Sequence, residues 1–215
     1  MRNISRIYGI TDPLDLIHST PPSKEQFKQY INIMITSYHE REQRKNMSNY
    51  TSTKYFNTSL IGLSGKIHPA LDNVFTSKEV QNMRPHLKLL AGDYLSNEKL
   101  ARHGGKSPLC DICDLHQNES YSHIISRCKA LEEPRHIMLN ILTEFCHSKE
   151  FYFFDNILQN DEELTQFILD PTSMNLTNRV NFNDRNLPEL MNICRNFCNS
   201  LHCLRKMKKE QLQQE

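Results

Sequence analysis

Cys110, Cys113, His123 and Cys128 follow one another in the spacing C-x2-C-x9-H-x4-C. Three thiols and one imidazole in one turn-rich stretch are the ligand set of a closed tetrahedral zinc site, because Zn2+ takes four donors in a small shell and suits thiolate and imidazole. A C-x2-C turn puts two sulfurs on one side of a tight bend, so the second pair has to return to the same point. The excursion between the pairs is polar (Asp114, His116, Gln117, Asn118, Glu119, Ser120, Ser122), which suits a solvated loop. Residues 120–128 read as a short helix that sets His123 about one turn before Cys128, with Ile124 and Ile125 packed beneath the metal. Gly104-Gly105 and Pro108 break any helix ahead of the first ligand, and Pro134 permits a new one after the last. Against this stands the plain reading that these are buried core thiols. His103, His116 and His136 are alternative imidazole donors with less fitting spacing.

Composition narrows the rest. The 215 residues suffice for one or two small domains with a real core. A net charge of +1 is not that of a nucleic-acid protein recognised by bulk charge. No apolar run approaches the length of a membrane span, and the first residues do not read as a secretory signal. Seven cysteines in that setting argue for reduced thiols, metal ligation and an intracellular protein, cytoplasmic or nuclear.

The expected fold is mainly α, a helical domain with a small central CCHC zinc-binding module. Three regions are expected: a helical and linker region over 1–75, a zinc-binding region over 76–146 with the module at about 107–136, and a helical region over 147–215. Ser23 and Gln26 form a capping box for a helix to about Lys45, with Phe27, Ile31, Met34, Ile35 and Tyr38 on one face. Residues 46–66 read as a linker or packed irregular stretch. Thr76 and Glu79 form a second capping box, and Pro85 predicts a kink or two helices meeting. Leu87, Leu90 and Leu95 are core candidates, and Gly92 allows close packing. A helix from Pro134 to about Cys146 places Ile137, Met138, Ile141, Leu142 and Phe145 inward. Phe151–Phe154 read as core aromatics, Asp161 opens a short helix ending near Asp170-Pro171, and 172–186 read as an exposed loop. A last helix covers 187–211. Its Cys194, Cys198 and His202, with Cys203 adjacent, are either an apolar stripe or part of a second metal site. Its Arg205, Lys206, Lys208 and Lys209 read as a solvated basic tail.

The run from Arg84-Pro-His-Leu-Lys-Leu-Leu to Leu100, then Ser107-Pro-Leu-Cys-Asp-Ile-Cys, then Ser122-His-Ile-Ile-Ser-Arg-Cys, resembles the reverse-transcriptase zinc-binding region that follows the polymerase in non-long-terminal-repeat retrotransposons. Ala130 and Arg135 sit where that family often has Cys-x-Ala-x4-Arg. The likeness covers roughly residues 76–145. It implies Cys110, Cys113, His123 and Cys128 as ligands of Zn2+, and a segment that positions template RNA or target DNA. The family's polymerase carries paired aspartates in a Tyr/Phe-x-Asp-Asp motif, and this chain has no Asp-Asp pair. Residues 146–215 lack the pattern of a restriction-type nuclease core. The expectation is therefore a C-terminal remnant that is not an enzyme.

Charge decides where RNA or DNA would touch. From Ser107 to His136, five acids face three bases, and metal-bound thiolates add negative charge. The preceding stretch is basic, so Arg84, Lys88, Lys99, Arg102 and Lys106 are the candidate phosphate contacts. Two other readings stay open: a zinc-stapled helical scaffold for protein partners of unknown kind, and a pseudogene fragment.

Overall fold

The computed structural model describes residues 7–10, 22–50, 53–57, 60, 68–71, 76–105, 107–177 and 186–214. The chain forms two compact units, one from Met1–Tyr50 with Thr58–Lys66, the other from Thr51–Asn57 with Ile67–Glu215. Regular structure is helical throughout, and no strand occurs among the described residues; the nearest thing is an isolated antiparallel bridge between Leu109 and Asn118.

The first unit is built on α1 (Lys24–Ser48), which opens with the expected Ser23–Gln26 capping box and runs a turn beyond Lys45. Ile31, Met34, Ile35 and Tyr38 are half-buried on one face, whereas Phe27 is exposed. Tyr38 meets Tyr8 edge-on, with ring centroids 4.9 Å apart.

In the second unit, α2 (Ser77–Leu90) starts at the Thr76–Glu79 capping box and continues as one helix through Pro85, so two helices do not meet there. It ends in a Schellman motif: the Asp93 amide donates to Lys88 O at 2.7 Å and the Gly92 amide to Leu89 O at 3.1 Å. Gly92 supplies the left-handed residue this needs (φ 65°), a helix-stop role that the sequence reading did not assign to it. Leu95 falls after that stop and is exposed, contrary to expectation, while Leu89 and Leu90 are buried.

After α3 (Asn97–Arg102) comes the cysteine knuckle, a π turn (His123–Arg127), a 3-10 turn (Lys129–Leu131), α4 (Glu132–Ser148), α5 (Phe154–Ile157), α6 (Asp161–Leu169) and α7 (Asn186–Leu212). α7 is the centre of the unit, packing against both α2 and α4. Its stripe Leu190, Met191, Cys194, Phe197, Cys198 and Leu201 recurs at helical spacing and is buried throughout. Each large apolar side chain so buried stabilises the fold by about 1.5–3 kcal/mol. α4 turns inward on Arg135, Met138, Leu142, Phe145 and Cys146; Ile137 and Ile141, expected on that face, are exposed. The buried face takes in Arg135 and Cys146, which apolar periodicity alone does not select, in place of Ile137 and Ile141. Phe154 is fully buried, Phe151 and Phe153 pack against the core, and Tyr152 is exposed.

The exposed loop expected over 172–186 is not found over its first part, and 178–185 lie outside the described residues. Pro171–Thr177 is a 3-10 segment in which Thr172 and Met174 are buried. The cause is Asp170, fully buried, whose carboxylate accepts from the Asn57 amide at 2.7 Å, His68 Nε2 at 3.2 Å and the Thr172 amide at 3.1 Å. Asn57, in the stretch read as a linker or packed irregular stretch, is thereby buried, as the second of those readings has it.

Candidate metal centre

The knuckle is closed by backbone bonds before any side chain is considered: the Cys110 amide donates to Gln117 O and the Glu119 amide to Pro108 O, each at 2.8 Å. His116 sits in the loop at φ 50°, a left-handed position that histidine tolerates better than most residues. The second half-site is a π turn, not the expected ordinary helical turn, sealed by the Cys128 amide donating to His123 O at 2.7 Å. At 3.6 residues per turn, positions five apart point about 140° away from each other. The wider π turn turns His123 and Cys128 toward one point, the use to which such turns are often put at sites.

The ligand atoms of Cys110, Cys113, His123 and Cys128 all lie within 4.8 Å of one another and could hold a metal ion. Cys110 Sγ and Cys128 Sγ are 3.8 Å apart, and Cys113 Sγ lies 3.4 Å from His123 Nε2. His123 Nδ1 faces Gln117 Oε1 at 3.4 Å, an outer contact of the kind that fixes the ligating nitrogen. Cys110, His123 and Cys128 are buried and Cys113 is half-buried; Ile124 and Ile125, which follow His123 in the turn, are buried as well. The hydrogen bond with Cys128, then burial, pushes the Cys110 thiol up to about 12, and the same contact holds Cys128 below its ordinary value. Burial raises Cys113. Metal ligation at these sulfurs therefore displaces protons. His103, His116 and His136 are exposed and outside the cluster.

Two buried arginines brace the knuckle. Arg135 donates Nε to Ile125 O at 2.9 Å and Nη2 to Cys128 O at 2.7 Å. Arg205 on α7 forms a bidentate pair with the fully buried Glu119, Nε to Oε1 at 2.8 Å and Nη2 to Oε2 at 2.7 Å. Lys209 reaches Asp111 at 3.1 Å and Asn97 Oδ1 at 2.8 Å. Arg205 and Lys209 are thus anchors of the knuckle and not part of a solvated tail. Basic residues near a helix end signal nothing unusual in sequence, and the acid they serve lies 86 positions away from Arg205.

The second metal site is not assembled. Cys194 and Cys198 are core residues, Cys203 is exposed, and His202 Nδ1 is taken up by Tyr94 OH at 2.9 Å. Among the described residues the only other potential ligand group is Cys110, Asp111 and Glu119, which shares Cys110.

The basic candidates divide. Arg84 and Lys88 are exposed on successive turns of α2. Lys99 is tied to Asp93 at 2.9 Å and to Gly92 O, and Arg102 to Glu98 at 2.9 Å. Lys99 and Arg102 also line an open cavity of about 490 Å3 with Lys54, Tyr55, Tyr121 and Glu162. Lys106 lies outside the described residues. No helix among the described residues is long and apolar enough to cross a membrane. No protein-family profile, curated protein or solved structure matches this chain.

Proposed function

We propose that Cys110, Cys113, His123 and Cys128 hold a structural Zn2+, in a non-catalytic segment derived from a retrotransposon reverse transcriptase that contacts RNA or DNA. One observation carries the metal half of this reading. A tetrahedral zinc with bonds of about 2.3 Å to sulfur and about 2.0 Å to nitrogen has S···S edges near 3.8 Å and S···N edges near 3.5 Å. The paired atoms here stand at 3.8 Å and 3.4 Å. Four protein donors leave no open coordination position, which suits a staple and not a catalytic ion.

The nucleic-acid half rests on the family likeness and on charge placement. A site of three thiolates repels phosphate, so contact is assigned to Arg84 and Lys88 on α2, with Lys99 and Arg102 at the cavity beside it. A reducing, intracellular setting fits seven free cysteines. Elemental analysis should find one zinc per chain, lost in Cys113→Ser. Fluorescence anisotropy with labelled RNA and DNA should show affinity falling as salt rises, and Arg84→Ala or Lys88→Ala should each flatten that slope by about 1. Binding that ignores both changes would remove α2 as the contact surface.

A second reading, a zinc-stapled scaffold for protein contacts alone, is favoured by Ile137 and Ile141, exposed one turn apart on α4. It requires no nucleic-acid binding at physiological salt in the same assay.

A further inference from the structure

Arg135 differs from the other buried cation at the knuckle. The charge of Arg205 is answered by a carboxylate, that of Glu119. Arg135, just 7% exposed, has no carboxylate within ion-pair distance among the described residues. Its guanidinium donates to three carbonyls, those of Ile124, Ile125 and Cys128, which are neutral and belong to the turn carrying two of the ligands. Glu132 on its own helix is exposed, and Asp161 is paired with Arg127 at 3.2 Å. A guanidinium removed from water without a counter-charge is strongly disfavoured. Burial works against the Arg135 charge, and of the acidic groups that favour it Cys128, to whose carbonyl it also donates at 2.7 Å, comes first, ahead of Glu132, Asp161 and Cys113.

We propose that Arg135 is the counter-cation of the metal centre. The inference rests on the zinc reading above. One divalent ion, three thiolates and a neutral imidazole sum to a single negative charge, and one buried guanidinium cancels it. The same three hydrogen bonds hold the π turn open, so Arg135 positions the ligands while neutralising them. Without the ion the fixed anion of the centre is gone, and Arg135 keeps its three neutral carbonyls alone. Arg135 therefore stabilises the loaded protein selectively, and this separates its electrostatic part from simple bracing.

The test is chelator competition for Zn2+ on wild type, Arg135→Gln and Arg135→Lys, with thermal melts of each in the loaded and metal-stripped forms. Expected are a zinc affinity about 10–100-fold weaker in Arg135→Gln, near wild-type affinity in Arg135→Lys, and a metal-stripped Arg135→Gln that melts no lower than stripped wild type. Equal losses in the lysine and glutamine variants, or an equal drop in melting temperature with and without zinc, would overturn the proposal and leave Arg135 a brace. If Arg135→Gln does not fold, Arg135→Lys decides: an affinity loss as large as that expected of the neutral variant rejects the charge. Wild type that takes up no zinc rejects the zinc reading itself, whereas zinc bound equally well by wild type and Arg135→Gln rejects the counter-charge alone.

Discussion

His86 is the residue on α2 whose chemistry most sharply limits the conditions the fold tolerates. It is fully buried, and its Nε2 donates to Leu169 O at 2.9 Å while Nδ1 has no partner among the described residues. Burial lowers its pKa from 6.5 to about 4, so the native state holds it neutral. A depressed pKa on a base contributes stability that is present above pH 6.5 and is lost as pH falls toward 4. The slope in that window is at most about 1.4 kcal/mol per pH unit. Urea unfolding of wild type and His86→Leu at both ends of the window measures it. The stability lead of wild type should shrink on acidification, and a constant difference would show that His86 does not titrate with unfolding. At this level the sequence was partly readable. The four ligands stand close together in the chain, so their spacing suffices. Glu119 with Arg205, and Asp170 with Asn57, are partners brought together by tertiary folding, and nothing near any of them in the chain announces it.

Helix ends were the most legible elements, because a capping box is written within four consecutive residues. Ser23–Gln26 and Thr76–Glu79 both form as expected. Helix faces were less so: in α4 the inward direction is set by α7 and by the carbonyls that Arg135 serves, and periodicity assigned Ile137 and Ile141 wrongly. The stop of α2 depends on Gly92 in its left-handed conformation. Gly92→Ala should destabilise the fold by about 1–2 kcal/mol, the cost of placing a Cβ at φ 65°. Chemical denaturation gives the number, and an unchanged midpoint would mean that the motif rearranges at no cost. The π turn was not readable, since the sequence 123–127 would suit an ordinary helical turn equally well; its geometry is imposed by the Cys128 amide bonding to His123 O and by Arg135.

In the second unit the cluster of Cys110, Cys113, His123 and Cys128 and the hydrophobic core are joined through α7. Leu190, Phe197 and Leu201 serve the core, while Arg205 and Lys209 serve the knuckle. On the zinc reading, a free-ion concentration a thousandfold above Kd adds about 4 kcal/mol. At roughly 2–4 °C per kcal/mol for a chain of this size, chelation should lower the melting temperature by about 8–16 °C. Hydrogen exchange should then rise first over 107–131 and around Arg205–Lys209, with Leu190–Leu201 still protected. Uniform loss along α7, or none, would break the link between knuckle and helix end.

The position of α7 in the chain also orders the assembly of that unit in time. The helix that α2 and α4 both pack against follows them in sequence, so during synthesis the two emerge without their shared partner. The knuckle's own backbone closure and its brace at Arg135 draw on residues 108–135, all of which are made earlier, whereas its anchors Arg205 and Lys209 arrive last, with α7. Local closure at the cysteines thus precedes global closure of the core, and the newly made chain carries its apolar faces uncovered until residues 186–205 have left the ribosome.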